Sequence, residues 1–381
     1  MLNNIFCCRR RDNNCLTQLV TSFLNTSLVR RITDASGDRF TSLQIDYSVK
    51  SIGIKKPVSL INSGNNCFLN SLFQSLIHQS AIIDEIERLP NPDSIAIGNT
   101  VGSIVIENQD EKEKISSLVK ELKNMQRSYA TESELNLQPL REALTAVVPF
   151  MPPSRDQYDP DDVWQGFAKL LSGKAANRSQ VYHSSSGERV AGPGLVPNYF
   201  PVDLKSEECQ DISTTPLAKM LENAYLHVLN PLGNWETTSF EKIPPFFTVT
   251  AKRFQQHSYF PWWMKAINYL LSLFGLSQYS LNAVYESIKL KNPLNIPFNL
   301  NLNKELVIER SNDDLAYNLS SFIVHFGDTT ESGHYVSYVK KNNRWYECSD
   351  KSINEVSIES IENLKQDAYM CFYNRATQSS N

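Results

Sequence analysis

The sequence predicts an α+β fold, with helices concentrated in the first half of the chain and strands in the second. Apolar residues recur at three- and four-residue steps from Phe68 to Ile77, a spacing typical of a buried helix. Polar helix-forming text follows at 109–126. Strand-like runs rich in β-branched and aromatic residues lie later in the chain, at 244–254, 306–310, 320–326 and 334–350.

The order of these segments indicates how the chain is organised. Its 381 residues fit two to three domains of about 150 residues, or one large domain with extensions. Residues 1–50 are predicted to form an extension that contains an amphipathic helix. A mixed domain is expected at 51–377, followed by a tail at 378–381, and the composition of 183–195 predicts a loop.

The charge balance argues against a nucleic-acid partner. Lys and Arg number 37 and Asp and Glu number 41, which gives a net charge of −4. Proteins that bind nucleic acid obtain most of their affinity from basic residues at the phosphates, and that excess is missing here. Hydrophobic residues make up 41% of the chain, which excludes wholesale disorder.

The seven cysteines are scattered and include no Cys-x-x-Cys pair. This pattern excludes the usual zinc ribbon and the thioredoxin motif, so neither a metal nor another cofactor is expected. An odd number of dispersed thiols favours a reducing compartment, and the N-terminal text lacks the apolar run of a secretory signal peptide. We therefore expect an intracellular location.

An apolar insert at about 256–288 departs from the rest of the sequence. Its core, 259–276, is interrupted by a narrow polar stripe of Lys265, Asn268 and Ser272. The charge and the proline at its start argue against a spanning helix. We expect this segment to bind a membrane surface or a partner, with Cys7 and Cys8, if acylated, as a second anchor. The alternative is a helix packed on the domain.

Cys67 is the leading candidate for a nucleophile. It lies at the predicted start of the apolar helix, directly after Asn65 and Asn66, which are favourable capping residues. Unpaired amides and the dipole at a helix N-terminus stabilise a thiolate. A buried structural cysteine is the alternative interpretation.

A nucleophilic cysteine needs a histidine as its base and a polar group that orients the base. Four of the six histidines lack a suitable strand context or share the helix of Cys67: His78, His183, His227 and His257. The other two, His325 and His334, lie in strand-like runs. His334 opens a predicted hairpin that turns around 341–343 and returns to Ser349 and Asp350, placing a hydroxyl and a carboxylate beside the imidazole. An early Cys, a late His and a polar residue last is the order of papain-like proteases.

These motifs resemble those of the ubiquitin-specific proteases. The family's Cys box, N-x-G-N-T-C-Y-L-N-S-x-L-Q, is similar to residues 62–74, and its His box is similar to residues 333–338 and 345–353. A closing A-Y-x-L-F-Y-x-R resembles 368–375. Shorter echoes occur at 247–254 and 296–302, in family order, so that the resemblance covers about 55–377.

The resemblance implies a papain-like cysteine protease fold of the ubiquitin-specific protease type. A helical thumb would carry Cys67 as the nucleophile, and a β-rich palm would carry His334 as the general base. Asn62 would donate a hydrogen bond to the oxyanion. The family usually has Asp where this chain has Ser349, so Ser349 is expected to orient His334, with Asp350 supporting or replacing it.

The substrate-binding motifs depart further from the family. Its Q-Q-D-A-x-E-F box, whose acidic residues meet the arginines of ubiquitin's tail, is blurred here; aligned on Phe167, it has Val163 and Gly166 at the acidic positions. Asp161 and Asp162 are expected to compensate from one residue away, and Tyr335 is a further substrate-contact candidate. The two Cys-x-x-Cys pairs of the family's zinc-binding fingers are absent from the sequence.

The predicted function is a thiol-dependent deubiquitinase that cleaves after the C-terminal glycine of ubiquitin or a ubiquitin-like modifier. Two alternatives remain: an inactive ubiquitin-binding pseudoenzyme, motivated by Ser349 and the blurred acidic box, and a general papain-like peptidase. The divergent boxes and asparagine-rich text would suit an effector that a pathogen delivers to host cytosol.

Overall fold

The architecture is built around one large, mostly antiparallel sheet, against which the helix that begins at Cys67 packs. The computed structural model describes residues 56–148, 151, 156–171, 179–183, 188–191, 199–204, 215–226, 228–229, 235–240, 245–259, 262–273, 284–307, 315–329 and 332–376. All of them belong to one compact unit, which spans Ser48–Asn381. The predicted extension at 1–50 and the tail at 378–381 lie outside the described residues.

The helices among the described residues are concentrated before residue 172. In chain order they are α1 Cys67–Ile77, α2 Ser80–Arg88, α3 Gln109–Thr131, α4 Gln138–Thr145, α5 Pro160–Leu171, α6 Leu217–Tyr225, α7 Trp262–Leu273 and α8 Ile358–Leu364. Three short 3₁₀ turns accompany them, at Pro92–Ser94, Lys304–Leu306 and Lys365–Asp367.

The strands lie mostly in the second half of the chain, as the sequence predicts. They are β1 Ser59–Ile61, β2 Thr100–Val101, β3 Ile104–Val105, β4 Glu134–Asn136, β5 Ser179–His183, β6 Glu188–Ala191, β7 Tyr199–Asp203, β8 Val228–Leu229, β9 Trp235–Phe240, β10 Phe246–Lys252, β11 Phe254–Tyr259, β12 Val284–Lys289, β13 Asn299–Asn301, β14 Ala316–Phe326, β15 His334–Lys341, β16 Arg344–Ser349, β17 Ser352–Val356 and β18 Ala368–Arg375.

Eight of these strands form the central sheet, in the order β17-β16-β15-β14-β18-β10-β7, with β13 paired to β14. Its pairings are antiparallel except for β10 with β7. A four-stranded sheet has the order β6-β5-β9-β8, and β11 pairs with β12. The segregation of helices and strands along the chain confirms the predicted α+β class.

Helix α1 is buried on every side, because it lies between the sheet and the other helices. All 11 of its residues are buried, and Phe68, Leu69 and Leu72 have no exposed surface. Each such side chain contributes about 1.5–3 kcal/mol of hydrophobic stabilisation. Its polar residues form internal hydrogen bonds: Ser71 Oγ donates to Phe68 O, and Tyr129 Oη donates to Gln74 Oε1 at 2.6 Å.

The predicted hairpin at the end of the sheet is confirmed. Strands β15 and β16 pair from Ser337–Cys348 to Lys341–Arg344, and the connecting residues Asn342 and Asn343 have φ of 50° and 61°. Asparagine tolerates this left-handed conformation, and two such residues in a row form the tight turn that matches the twist of a hairpin.

Other sequence expectations need correction. The run at 244–254 divides into two strands, β10 and the start of β11. The expected strand at 306–310 is not formed at Leu306, which ends a 3₁₀ turn, and 308–310 lie outside the described residues. Residues 188–191, expected to be part of a loop, form β6 because they pair with β5.

The apolar insert forms a hairpin that carries a helix. Strands β11 and β12 pair over six residues each, and α7 lies between them in the chain. The helical part of the prediction is therefore confirmed over 262–273. No helix among the described residues combines the length and the apolar character needed to cross a lipid bilayer.

Candidate active site

The loop before α1 is organised around the side chain of Asn62. Its Oδ1 accepts hydrogen bonds from the backbone N–H of Gly64 at 3.1 Å and of Asn66 at 2.9 Å. The loop turns sharply between them, since Gly64 has φ of 140° and Asn65 has φ of 48°. These bonds close a small turn that delivers Cys67 as the first residue of the helix.

The predicted cap of this helix differs in detail. Asn66 occupies the capping position, but its side chain accepts no bond from the helix. Instead its Oδ1 accepts a hydrogen bond from Arg141, and its Nδ2 donates to Ser63 Oγ at 3.1 Å. The amides of the first helical turn are therefore left for other acceptors, including the thiol itself.

The thiol of Cys67 is 3% exposed. Burial raises its pKa, the backbone amide of Tyr335 opposes that shift, the negative charge of Asp350 adds to it, and the backbone amide of Phe68 opposes it. The helix N-terminus thus acts in the direction that the sequence predicted, but desolvation outweighs it. The effect of the Tyr335 amide agrees with the packing of α1 against β15, the strand in which Tyr335 directly follows His334.

His334 is the first residue of β15, and its Nε2 lies 2.8 Å from Oγ of Ser349. Within the described residues, no hydrogen bond joins His334 to Cys67. The contact with Ser349 leaves the other ring nitrogen, Nδ1, available to exchange a proton with a thiol. Hydrogen bonds between catalytic residues are often long without substrate and shorten only when substrate binds. The structure brings the hydroxyl, rather than the neighbouring carboxylate, to the imidazole.

Asp350 points away from His334, towards the loop that carries Asn62. Its two carboxylate oxygens accept hydrogen bonds from Asn62 Nδ2 and from Asn70 Nδ2, both at 2.8 Å. A positive φ of 54° turns the chain at Asp350, and its carbonyl accepts a bond from the N–H of Leu60. Adjacent residues of one turn therefore contact the base and the nucleophile loop separately. The sequence singled out Asn70 as part of the Cys box, but not as a partner of Asp350.

The backbone before His334 passes tightly over His325. A side chain at Gly333 would bring its Cβ to 2.4 Å from Nε2 of His325, and Gly333 has φ of 146°. Glycine is therefore required at this point. His325 is buried, and burial lowers its pKa to about 4, so it supports this backbone as a neutral ring.

The structure does not support a substrate contact for Asp161. This carboxylate is 1% exposed, and its oxygens accept hydrogen bonds from Thr250 Oγ1 at 2.7 Å and Lys252 Nζ at 2.6 Å. These partners on β10 engage both oxygens, which makes Asp161 a link between α5 and the sheet. Tyr335 is also 1% exposed, so its side chain is inaccessible to a substrate.

Asp159 was missed by the sequence analysis. It precedes the first residue of α5, its Oδ1 accepts from the N–H of Asp161, and its Oδ2 accepts from Tyr369 Oη at 2.6 Å. Burial and the charge of Asp161 raise its pKa to about 7. Asp162, by contrast, has an exposed side chain, which the predicted contact with a substrate requires.

The position of Asp159 and Asp162 corrects the register of the acidic box. Val163 has no exposed surface, and a Cβ on Gly166 would lie 2.8 Å from Val148, so neither position has room for a substrate-binding carboxylate. A register four residues earlier matches 157–163, Gln-Tyr-Asp-Pro-Asp-Asp-Val, to Q-Q-D-A-x-E-F. This places Asp159 and Asp162 at the two acidic positions, and the sequence alone held that signal.

The arrangement has the parts of a thiol acyl-transfer site. It combines a cysteine at a helix N-terminus, an imidazole next to it in the fold, and an amide beside the nucleophile. Among the described residues, no group of three or more His, Cys, Asp or Glu side chains is placed to hold a metal ion.

Comparison with known proteins is consistent with this geometry. The family model of ubiquitin carboxyl-terminal hydrolase matches residues 58–373. Ubiquitin carboxyl-terminal hydrolase 24 of Arabidopsis thaliana is 33% identical over 88 residues, which are 23% of this chain and 16% of that protein. Probable ubiquitin carboxyl-terminal hydrolase 8 of Schizosaccharomyces pombe is 29% identical over 134 residues, 35% of this chain and 23% of that protein. The aligned segments thus span less than a quarter of these relatives.

A solved structure extends the likeness to the fold. The SAGA Ubp8/Sgf11/Sus1/Sgf73 DUB module bound to ubiquitin aldehyde superposes with a TM-score of 0.54 at 16% identity. The superposition covers 84% of this chain and 70% of the other. The predicted papain-like fold, with a helical part that carries Cys67 and a sheet that carries His334, is confirmed.

Proposed function

Because the chain belongs to the ubiquitin carboxyl-terminal hydrolase family, we propose that it is a thiol-dependent deubiquitinase. It hydrolyses the isopeptide or thioester-type bond after the C-terminal glycine of ubiquitin or a ubiquitin-like modifier. The observation that supports this function most is the placement of Cys67 at the start of α1, a helix that packs against β15, the strand that begins with His334.

In the proposed mechanism, His334 accepts the thiol proton and the Cys67 thiolate attacks the glycine carbonyl. The developing oxyanion accepts hydrogen bonds from the backbone N–H of Cys67 and from the side chain of Asn62. The Asn62 amide has two N–H bonds, and its contact with Asp350 uses one of them. His334 then protonates the departing lysine amine, and a water molecule activated by His334 hydrolyses the thioester.

The acidic residues at the start of α5 fit a basic substrate tail. Asp162 is the carboxylate at this edge whose side chain is exposed, whereas both oxygens of Asp159 accept hydrogen bonds, from the Asp161 amide and from Tyr369. We propose that Asp162 receives an arginine of ubiquitin's tail, in the role that the family's acidic box implies, and that the neighbouring Asp159 adds negative charge.

The test uses the full chain with a fluorogenic amide of ubiquitin. Cys67→Ala and His334→Ala should each abolish turnover, because loss of one member of such a triad costs several orders of magnitude in rate. Cys371→Ala is the matched control, since it removes another buried thiol that lies in β18. Normal turnover by Cys67→Ala would refute the proposal.

Electrophilic probes built on ubiquitin and on its relatives identify the modifier. Covalent labelling at Cys67 by one probe and not by the others assigns the specificity. A protein that binds ubiquitin but reacts with no probe would instead fit the second candidate, an inactive binding module. The neutral Ser349 beside His334 is the observation in its favour.

We further propose that α7 docks on an anionic membrane surface. Tyr269, Leu270 and Leu273 are 64%, 52% and 62% exposed, and Ile267 is 39% exposed. An interfacial helix presents such residues to the acyl boundary, and the exposed Lys265 suits anionic headgroups. The N-terminal cysteines that could add an acyl anchor lie outside the described residues.

Co-sedimentation with phosphatidylserine vesicles tests this docking. The Leu270→Glu/Leu273→Glu variant should pellet less than wild type, whereas Ile97→Glu, which alters another exposed apolar residue, should pellet equally. Equal pelleting of both variants, or pelleting of the protein that does not depend on vesicles, contradicts it.

We also propose a reducing intracellular compartment, because the mechanism requires a free thiol at Cys67.

A further inference from the structure

Arg141 is a buried cation directly behind the nucleophile loop. It lies on α4 and is 2% exposed. Its Nη1 donates to the carbonyl of Gly64 at 3.1 Å and to Oδ1 of Asn66, and its Nη2 donates to the carbonyl of Asp156 at 2.8 Å. One guanidinium therefore joins the loop before Cys67 to the segment that leads into α5.

The loop that Arg141 contacts needs external support. Gly64 and Asn65 both have positive φ. The left-handed conformation of Asn65 costs free energy, because a residue with a side chain rarely adopts it. From inside, Asn62 Oδ1 closes the turn. Arg141, which lies on α4 outside the loop, donates hydrogen bonds to the carbonyl of Gly64 and the side chain of Asn66. The turn is therefore stabilised both by its own residue Asn62 and by Arg141.

The guanidinium also lies against the helix itself. Its Cζ is 5.3 Å from the centre of the Phe68 ring, and Phe68 follows Cys67 directly. Burial lowers the pKa of Arg141, and the nearby charges of Asp156 and, less strongly, Cys67 oppose that shift. A purely apolar filler would pack this space at a lower desolvation cost than an arginine.

We propose that Arg141 is a positioning residue for the hydrolysis, which holds the Gly64–Asn66 turn so that Asn62 and the Cys67 amide face the oxyanion together. This inference rests on the proposed function. Arginine suits the task because its planar fork reaches acceptors in several directions from a fixed plane, whereas lysine offers a single point charge.

Steady-state kinetics of Arg141→Met and Arg141→Lys test the proposal. Removal of one oxyanion donor costs about 10²–10³ in kcat, and loosening two of them should cost about 10–10². We expect this loss in kcat for Arg141→Met, a smaller loss for Arg141→Lys, and a KM within about threefold of wild type. The matched control is Arg344→Met, which removes an exposed arginine paired with Glu355 on the far hairpin.

Alkylation of Cys67 by iodoacetamide across pH, located by mass spectrometry, gives a readout that needs no ubiquitin. Loss of the cation should shift the alkylation profile of Cys67 to higher pH in Arg141→Met and leave it unchanged in Arg344→Met. If Cys67 of the wild type is alkylated but the protein turns over no ubiquitin substrate, the proposed function fails. The comparison of the alkylation profiles of wild type and Arg141→Met then still shows whether Arg141 acts on Cys67.

Two results would overturn the inference. One is an Arg141→Met protein whose kcat stays within threefold of wild type with an unshifted alkylation profile. The other is a loss of kcat that matches only the loss of folded protein, measured by thermal unfolding. Should Arg141→Met not fold, kcat is measured for Arg141→Lys, Asn66→Ala and the double variant. Non-additive losses would show that both residues act through the same turn. Fully additive losses would show independent effects and contradict the inference.

Discussion

The two sides of the site are held in very different ways. On the nucleophile side, the turn at 62–66 is fixed by side-chain bonds from Asn62, Arg141 and Asp350. On the base side, His334 has one side-chain hydrogen bond within the described part of the chain, to the neutral hydroxyl of Ser349. The groups proposed to stabilise the oxyanion are thus fixed before substrate arrives, while the proposed base is oriented by a single uncharged contact.

This difference indicates where the catalytic power should reside. Preorganised donors directed at developing charge are usually the largest contribution to catalysis. A hydroxyl orients an imidazole, but it stabilises the imidazolium less than a carboxylate does. We therefore expect substitutions on the nucleophile side to cost more than removal of Ser349.

The largest effect is expected for Asn62→Ala. This change removes the proposed oxyanion donor and also the acceptor that closes the turn before Cys67, so kcat should fall by about 10²–10³. Initial rates of hydrolysis of a fluorogenic ubiquitin amide give this kcat. Asn354→Ala, an exposed asparagine on β17, is the control, and a kcat of Asn62→Ala near that of the control would contradict the comparison.

Asp350→Ala should have the next largest effect, a fall in kcat of about 10–10². It leaves the buried amide of Asn70 without its charged acceptor and frees Asn62 Nδ2. Because Asp350 acts through Asn62, the double variant Asn62→Ala/Asp350→Ala should be little worse than Asn62→Ala alone. Fully additive losses would show that Asp350 acts on another group. Asp84→Ala, at an exposed aspartate of α2, is the control.

Ser349→Ala should lower kcat by about tenfold, because a neutral hydrogen bond contributes roughly 1–1.5 kcal/mol. Ser349→Asp should restore or exceed wild-type kcat, since a carboxylate stabilises the imidazolium more strongly. The exposed Ser352→Ala serves as the reference. A Ser349→Ala loss greater than that of Asp350→Ala would reverse the ranking of the two sides.

The smallest effect concerns pH and substrate binding. The pKa of Asp159 is about 7, so the residue loses its charge as pH falls through neutrality. Its attraction for a basic tail is then lost, and KM should rise about two- to fivefold between pH 8 and pH 6. In Asp159→Asn the KM should be high and independent of pH over this range. A pH-dependent KM that persists in Asp159→Asn would assign the effect to another group.

Local pattern was sufficient to predict the elements that carry chemistry. The apolar spacing after Cys67 predicted α1, and the alternation around Asn342 predicted the hairpin that joins His334 to Ser349. What the sequence could not supply were bonds between distant segments. The burial of Asp161 depends on Thr250 and Lys252, which are about 90 positions away along the chain and become neighbours only through the sheet.

The same limit explains Arg141 and Asp350. An arginine within a helix is expected to be exposed to solvent. Arg141 is buried because α4 packs behind the loop that precedes Cys67. Ser349 and Asp350 are adjacent in sequence, and the φ of 54° at Asp350 is what sends their side chains to different partners. The register of the acidic box was recoverable from the sequence, but required choosing Asp159 rather than Phe167 as the anchor.

The place of β18 in the sheet has a consequence for biosynthesis. Of the described strands it comes last along the chain, yet it lies between β14 and β10 in the middle of the sheet. Until the ribosome has released residues 368–375, those two strands have no common neighbour, and the sheet against which α1 packs is incomplete. A nascent chain therefore exposes two unpaired sheet edges, a state prone to aggregation, and the proposed deubiquitinase activity should appear only after that strand has been inserted.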